Sequence, residues 1–194
     1  MKRHRAMASL SWLALSLFPA LLLAQQVPRQ SPEFTVLTTV GRMLKLSEFR
    51  GKAVAVEFLL TDCPHCQETA QILEKLQREY RARGLQAIAV AFNSDAPARL
   101  PELVKKLNLS FPTGTASQLS VFQHLQLSFM KQYSVPFLAF VDGNGVIRAQ
   151  FTGDDPFFKN TEANMRSNIE ALLKRGSAPG PEAAPESKKL QKKR

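Results

Sequence analysis

The sequence predicts an α/β fold: a central mixed sheet flanked by helices, with an N-terminal strand extension. Three observations carry this. Two near-continuous apolar runs, Ala53 to Leu60 and Leu85 to Phe92, have the composition of strands buried on both faces. Stretches with apolar residues three and four apart lie between and after them, as amphipathic helices require. Two further apolar runs, Phe137 to Val141 and Val146 to Phe151, flank Asp142-Gly143-Asn144-Gly145 and read as an antiparallel hairpin. Strand and helix alternate through the middle of the chain, which argues for parallel strands joined by right-handed crossovers.

Taken in order, the chain opens with a basic start and an apolar run from Ala6 to Ala24, read as an export signal over residues 1–24 or, alternatively, an N-terminal membrane anchor. Residues 25–32 are polar and contain proline, as a linker would. The folded domain is expected over 33–175. Phe34 to Leu37 and Met43 to Leu46 alternate like short strands around Gly41, and Ser47 to Lys52 is a connector closed by Gly51. Pro64 to Arg83 carries Ile72, Leu73, Leu76 and Tyr80 at helical spacing and ends at Gly84, a residue suited to a helix C-terminus. Leu100, Leu103, Val104 and Leu107 mark the next helix. Phe111 to Thr113 reads as a short strand, and Leu119, Phe122 and Leu125 as a further helix. A last helix runs from about Asn160 to Lys174, with Met165, Ile169, Leu172 and Leu173 inward. Residues 176–194 are rich in Pro, Ala and Glu, end in lysines and have nothing to bury, so a disordered basic tail is expected.

Charge narrows the function. The 194 residues carry a formal +10, but each end supplies a net three of those charges, and four remain for the rest. No basic stripe with interleaved aromatics remains, so a nucleic-acid partner is not expected.

The chemistry concentrates in Thr61-Asp62-Cys63-Pro64-His65-Cys66, which holds both cysteines of the chain where an apolar strand runs into a helix. A Cys-x-x-Cys pair at the entry to a β-α unit reads as a redox dithiol. At a helix N-terminus, unpaired backbone N–H groups and the positive end of the helix dipole stabilise a thiolate at Cys63. Pro64 suits the first turn, where its missing N–H had no acceptor. His65 can face the sulfur as an imidazolium, so the Cys63 pKa is expected below about 8.5. Cys66, one turn on, is placed to resolve a mixed disulfide. Asp62 would oppose the thiolate if it points inward, or it could cap the helix. Glu57, six residues before Cys63, sits inside an apolar strand. Burial should raise its pKa and make it a candidate proton acceptor for Cys66, unless the strand is an edge that turns Glu57 to solvent. A structural cysteine pair and half of a metal site are the alternatives for the dithiol itself. Val135-Pro136 heads the hairpin.

With these pieces placed, residues from about Ser31 to Arg175 resemble the thioredoxin-like superfamily, and within it the TlpA/ResA group of exported, often membrane-tethered thiol-disulfide oxidoreductases. The carrying residues are Leu46 to Lys52, the strand ending in Glu57-Phe58, Cys63-Pro64-His65-Cys66, and Val135-Pro136-Phe137 with Phe140 to Gly145. The resemblance implies that Cys63 attacks, Cys66 resolves, Glu57 is the buried acid, and Pro136 is a cis-proline beside the dithiol. It departs from the group at Leu59-Leu60 and Asp62, where Trp-Ala and an aromatic are expected. Pro64-His65 and Val135 instead resemble the disulfide-forming DsbA enzymes.

The expected function is an exported thiol-disulfide oxidoreductase, in the bacterial periplasm or on the outer face of the membrane. It would exchange disulfides with protein partners and with a membrane or periplasmic redox partner. Its redox group is the Cys63–Cys66 disulfide itself, with no further cofactor and no metal, and the partner's extended chain would lie against Val135 and Pro136. Whether it reduces or oxidises is open. A peroxiredoxin-like thiol peroxidase is one alternative, although Val56 and Leu60 occupy the Pro and Thr places of the Pro-x-x-x-Thr-x-x-Cys pattern. A non-enzymatic copper or zinc carrier is the other.

Overall fold

The run expected as a central strand is one: β4 (Ala53–Leu59) is buried at every residue. Side chains alternate across a strand, so Ala53, Ala55 and Leu59 face one apolar layer and Val54, Val56 and Phe58 the other. This computed structural model describes residues 27–176. The expected leader, the first two residues of the expected linker and the basic tail from 177 onward lie outside the described residues. Among the described residues no helix is long and apolar enough to cross a membrane.

Around β4 the elements follow as β1 (Arg29–Gln30), β2 (Thr35–Thr38), β3 (Met43–Lys45), then α1 (Pro64–Tyr80), β5 (Leu85–Ala91), α2 (Ala96–Leu107), β6 (Thr113–Thr115), α3 (Gln118–Leu125), β7 (Phe137–Val141), β8 (Val146–Phe151) and α4 (Thr161–Gly176). They build one mixed sheet in the order β1-β8-β7-β4-β5-β6-β2-β3. β4, β5 and β6 are parallel, while β7 runs antiparallel to β4 and pairs with β8 in the expected hairpin. One core layer packs α1, α2 and α4 against an alanine-rich sheet face formed by Ala53, Ala55, Ala87, Ala89 and Ala91. Small residues there let the helices approach closely. The opposite layer joins Val121, Phe122 and Leu125 of α3 to Phe34, Val36 and Leu44 of the N-terminal strands.

Three local expectations are corrected. The stretch read as a linker contains β1, whose Arg29 and Gln30 pair with Ile147 and Val146. Arg29 reaches the His124 carbonyl at 2.9 Å and Gln150 Oε1 at 2.8 Å, so two residues with no periodicity of their own are fixed by the open edge of β8. The strand expected at Phe111 to Thr113 begins two residues later. Pro112 has no N–H to give and contributes only its carbonyl, which accepts from Ala89 at 3.1 Å, while Phe111 turns into the core. In α3, Val121 and His124 complete the buried face and Leu119 is 54% exposed. A 3₁₀ turn, Pro156–Asn160, precedes α4, started by the Asp155 side chain accepting from Phe157 N–H.

His124 is the unexpected member of this core. Its ring is 2% exposed and packs against Phe34 and Phe58 at centroid distances of 4.7 and 5.9 Å. Burial, and secondarily the Arg29 charge, lower its pKa to about 4, outweighing the Pro32 backbone and Glu33, which favour the protonated ring. A base whose folded pKa is depressed stabilises the fold above its unfolded value of 6.5, and that contribution is lost as pH falls toward about 4. Over that window wild type should lose about 3 kcal/mol that His124→Leu does not, read as denaturant midpoints at successive pH values.

Candidate active site

The dithiol forms where β4 gives way to α1. The strand ends at Leu59, and a turn closed by Cys63 N–H donating to the Leu60 carbonyl at 3.2 Å leads into the helix. Cys63 itself is the N-cap, in extended conformation, and its Sγ accepts from the Cys66 backbone N–H at 3.3 Å. A sulfur thereby occupies the place that Ser or Asp oxygen takes at most helix starts. Pro64 is the first helical residue, as expected. Both cysteines are free thiols, Cys63 half-buried and Cys66 fully buried.

Beneath them lies Glu57. Its strand is central, between β5 and β7, and not an edge. The residue is 0% exposed and neither carboxyl oxygen has a hydrogen-bond partner. Burial holds its pKa well above the ordinary carboxylate value, and negative charge at Cys63 raises it further. Burial likewise pushes the Cys66 thiol far up, with its hydrogen bond to Cys63 and the charges of Cys63 and Glu57 acting in the same direction and the Leu60 backbone opposing. Electrostatics therefore link Glu57, Cys63 and Cys66.

The other two side chains of the motif do not join them. His65 is exposed and turns to Glu68, its Nδ1 3.5 Å from Oε2, rather than to the Cys63 sulfur. Helical geometry explains this: residues three apart on one face are neighbours, and the solvated carboxylate is the nearer partner. Asp62 is exposed and does not cap α1, because Cys63 holds that position.

The Val135–Pro136 peptide is cis. The loop before it is tied down by residues that the sequence did not single out. Asp154 accepts from Ser134 N–H at 3.0 Å and from its hydroxyl at 2.5 Å, and Gly153 N–H donates to the Ser134 carbonyl at 2.7 Å. A methyl at Gly153 would stand 2.6 Å from the Val135 carbonyl oxygen, closer than real contacts allow. Cys63 and Val135 pack against the same core layer. A groove of about 590 Å³, lined by Leu60, Phe92, Asn93, Tyr133, Val135 and Phe137 among others, runs between the β4–α1 turn and this loop. Among the described residues no group of three or more His, Cys, Asp or Glu is gathered that could hold a metal ion.

A mixed sheet with helices on both faces and a Cys-x-x-Cys pair at a helix N-terminus defines a thioredoxin-like fold. A thiol:disulfide interchange protein of the thioredoxin family from Chlorobium tepidum shares the fold, with a TM-score of 0.63 at 20% identity over 77% of this chain and 99% of that one. Residues 26–171 match the Redoxin family, and the chain belongs to it. The thiol-disulfide oxidoreductase ResA of Halalkalibacterium halodurans is 34% identical over 83 residues, 43% of this chain and 47% of that protein. ResA of Bacillus thuringiensis subsp. konkukian is 26% identical over 87 residues, 45% of this chain and 50% of its own length. The chain thus spans about half the length of the curated relatives it matches, and the resemblance to the ResA group read from the motifs holds.

The buried acid gives a measurable signature. A carboxyl whose folded pKa is raised stabilises the fold fully below its unfolded value near 4.3, and the contribution is lost as pH rises above that. Wild type should therefore lose stability relative to Glu57→Gln as pH is raised from about 5 to 9, and melting midpoints of the two proteins across that range check it.

Proposed function

We propose that the chain is an exported thiol-disulfide oxidoreductase that exchanges disulfides with protein partners through Cys63 and Cys66. The observation that carries this reading is the half-buried Cys63, its sulfur accepting from the Cys66 N–H, grouped with a buried thiol and a buried acid. In the reducing direction the Cys63 thiolate attacks one sulfur of a partner's disulfide. A bond forms between Cys63 and that sulfur, and the partner's other sulfur leaves as a thiolate. Once Cys63 is tied up in the mixed disulfide it carries no charge. Burial still holds the Glu57 pKa up, but the Cys63 charge no longer adds to it, so the carboxyl releases its proton to solvent more readily and, once ionised, accepts the Cys66 proton. The Cys66 thiolate attacks Cys63 Sγ, the intramolecular disulfide closes, and the partner departs with two more electrons. Run backwards, the same steps oxidise the partner.

The Cys63–Cys66 disulfide is the redox group of this scheme. A membrane or periplasmic redox partner would reset it. The groove lined by Val135, next to the buried Pro136, would take an extended segment of the client, with Phe92 and Tyr133 offering apolar contact. Names of the ResA relatives support the reaction class, and the apolar run at Ala6 to Ala24 supports export to the periplasm or the outer membrane face.

Cys66→Ala should accumulate protein adducts through Cys63 that a thiol reductant releases, whereas Cys63→Ala should give none; gels run with and without reductant check this, and absence of adducts and of thiol exchange would overturn the reading. In the intact dithiol, Glu57→Gln should slow resolution of a preformed mixed disulfide by about a hundredfold near neutral pH, measured by stopped-flow release of a chromogenic thiol.

A further inference from the structure

Glu57 and Cys66 are held by regular structure, one in the middle of β4 and the other in the first turn of α1. Cys63 is held by regular structure on one side alone, where its carbonyl accepts from Gln67 N–H at 3.1 Å and its Sγ from Cys66 N–H at 3.3 Å. On the other side it ends the Leu60–Cys63 turn, so its place relative to Glu57 depends also on what fixes that turn. The parallel ladder between β4 and β5 reaches only as far as Phe92 N–H, which donates to the Leu59 carbonyl at 3.1 Å. Beyond it a side chain continues the pairing. Asn93 Oδ1 accepts from Thr61 N–H at 3.1 Å, and Asn93 Nδ2 donates to Thr61 Oγ1 at 2.8 Å. From the other side, Gln67 Nε2 of α1 donates to the Thr61 carbonyl at 3.0 Å. Thr61 is 5% exposed, and its N–H, hydroxyl and carbonyl are all met by side chains.

Both side chains are themselves anchored to one further helix. Asn93 Nδ2 also donates to Asp95 Oδ1 at 2.5 Å, and Asp95 pairs with Arg99 of α2 at 2.5 Å. Gln67 Oε1 accepts from Lys106 Nζ, again of α2, at 3.0 Å. We propose that Asn93 and Gln67 are positioning residues that grip Thr61 between them, so that helix α2 sets where the Cys63 sulfur sits relative to Cys66 and Glu57. The inference rests on the exchange reading in taking Cys63 as the attacking thiol. Thr61 is two residues from Cys63, and a nucleophile displaced by about 1 Å can lose about a hundredfold in rate.

The test uses the full chain carrying Cys66→Ala, in which Cys63 is the one thiol left, and follows its alkylation by iodoacetamide from pH 5 to 9 alongside melting midpoints. Asn93→Ala should slow alkylation about tenfold at pH 7 and move the midpoint of the pH profile. Asn93→Ala with Gln67→Ala should be no slower than the worse single variant within about twofold, because both act on one residue. An Asn93→Ala protein that melts lower yet keeps the wild-type rate and pH midpoint overturns the clamp and leaves the exchange reading standing. Should that variant fail to fold, Thr61→Val removes only the hydroxyl contact at nearly constant shape; a slower rate with a moved midpoint supports the clamp, and unchanged values overturn it. A Cys63 that reacts in the folded Cys66→Ala chain no faster than in the unfolded one overturns both readings.

Discussion

A helix starts with backbone N–H groups that have no acceptor inside the helix, and in this protein a sulfur meets one of them. The contact from the Cys66 N–H to Cys63 Sγ fixes much of the remaining architecture. For Cys63 to stand at the cap, the strand before it must stop at Leu59 and the chain must turn within the next few residues. For Cys66 to be buried one turn on, α1 must lie close over the sheet. The alanines on that sheet face provide the clearance, since larger side chains at 87, 89 and 91 would lift the helix. The same contact that satisfies the helix therefore aligns the two sulfurs.

Glu57 lies on this same buried sheet face, where an apolar side chain would carry no desolvation cost. Burying a neutral carboxyl without hydrogen bonds costs about 1–3 kcal/mol, and burying it ionised costs far more. The neutral form is the one the fold tolerates, and neighbours such as Phe58 and Leu59, each contributing about 1.5–3 kcal/mol by burial, offset it. The site is thus a local departure from optimal packing carried by an otherwise apolar strand. Its proton affinity responds to whether the sulfur above it is charged, which ties proton transfer to the state of the thiols.

Much of this was legible in the amino-acid order. Strands over 53–59 and 85–91, the α1 helix with its end near Gly84 and the 137–151 hairpin follow from apolar runs, spacing and turn residues, because burial on one face or two leaves a periodic trace. The inward direction of Glu57 is also a matter of parity: it lies two residues before Leu59 and so shares its face. Other features leave no such trace. β1 depends on an edge more than a hundred residues later in the chain. His65 and Asp62 are set by side-chain rotamers at a solvated surface, which spacing does not encode. His124 reads as an ordinary polar helix residue until the rings that enclose it are assembled. Asn93 meets Thr61 from 32 residues away, and a loop Asn-Ser-Asp signals only a turn.

The glycine after Thr152 ties two distant stretches of chain to a common fate. Because a single added carbon at 153 would strike the main chain of Ser134 and Val135, no rotamer adjustment can relieve it. Drift toward any other amino acid at 153 is open only to a descendant whose segment before Pro136 has already shifted, so the two stretches should change together or not at all.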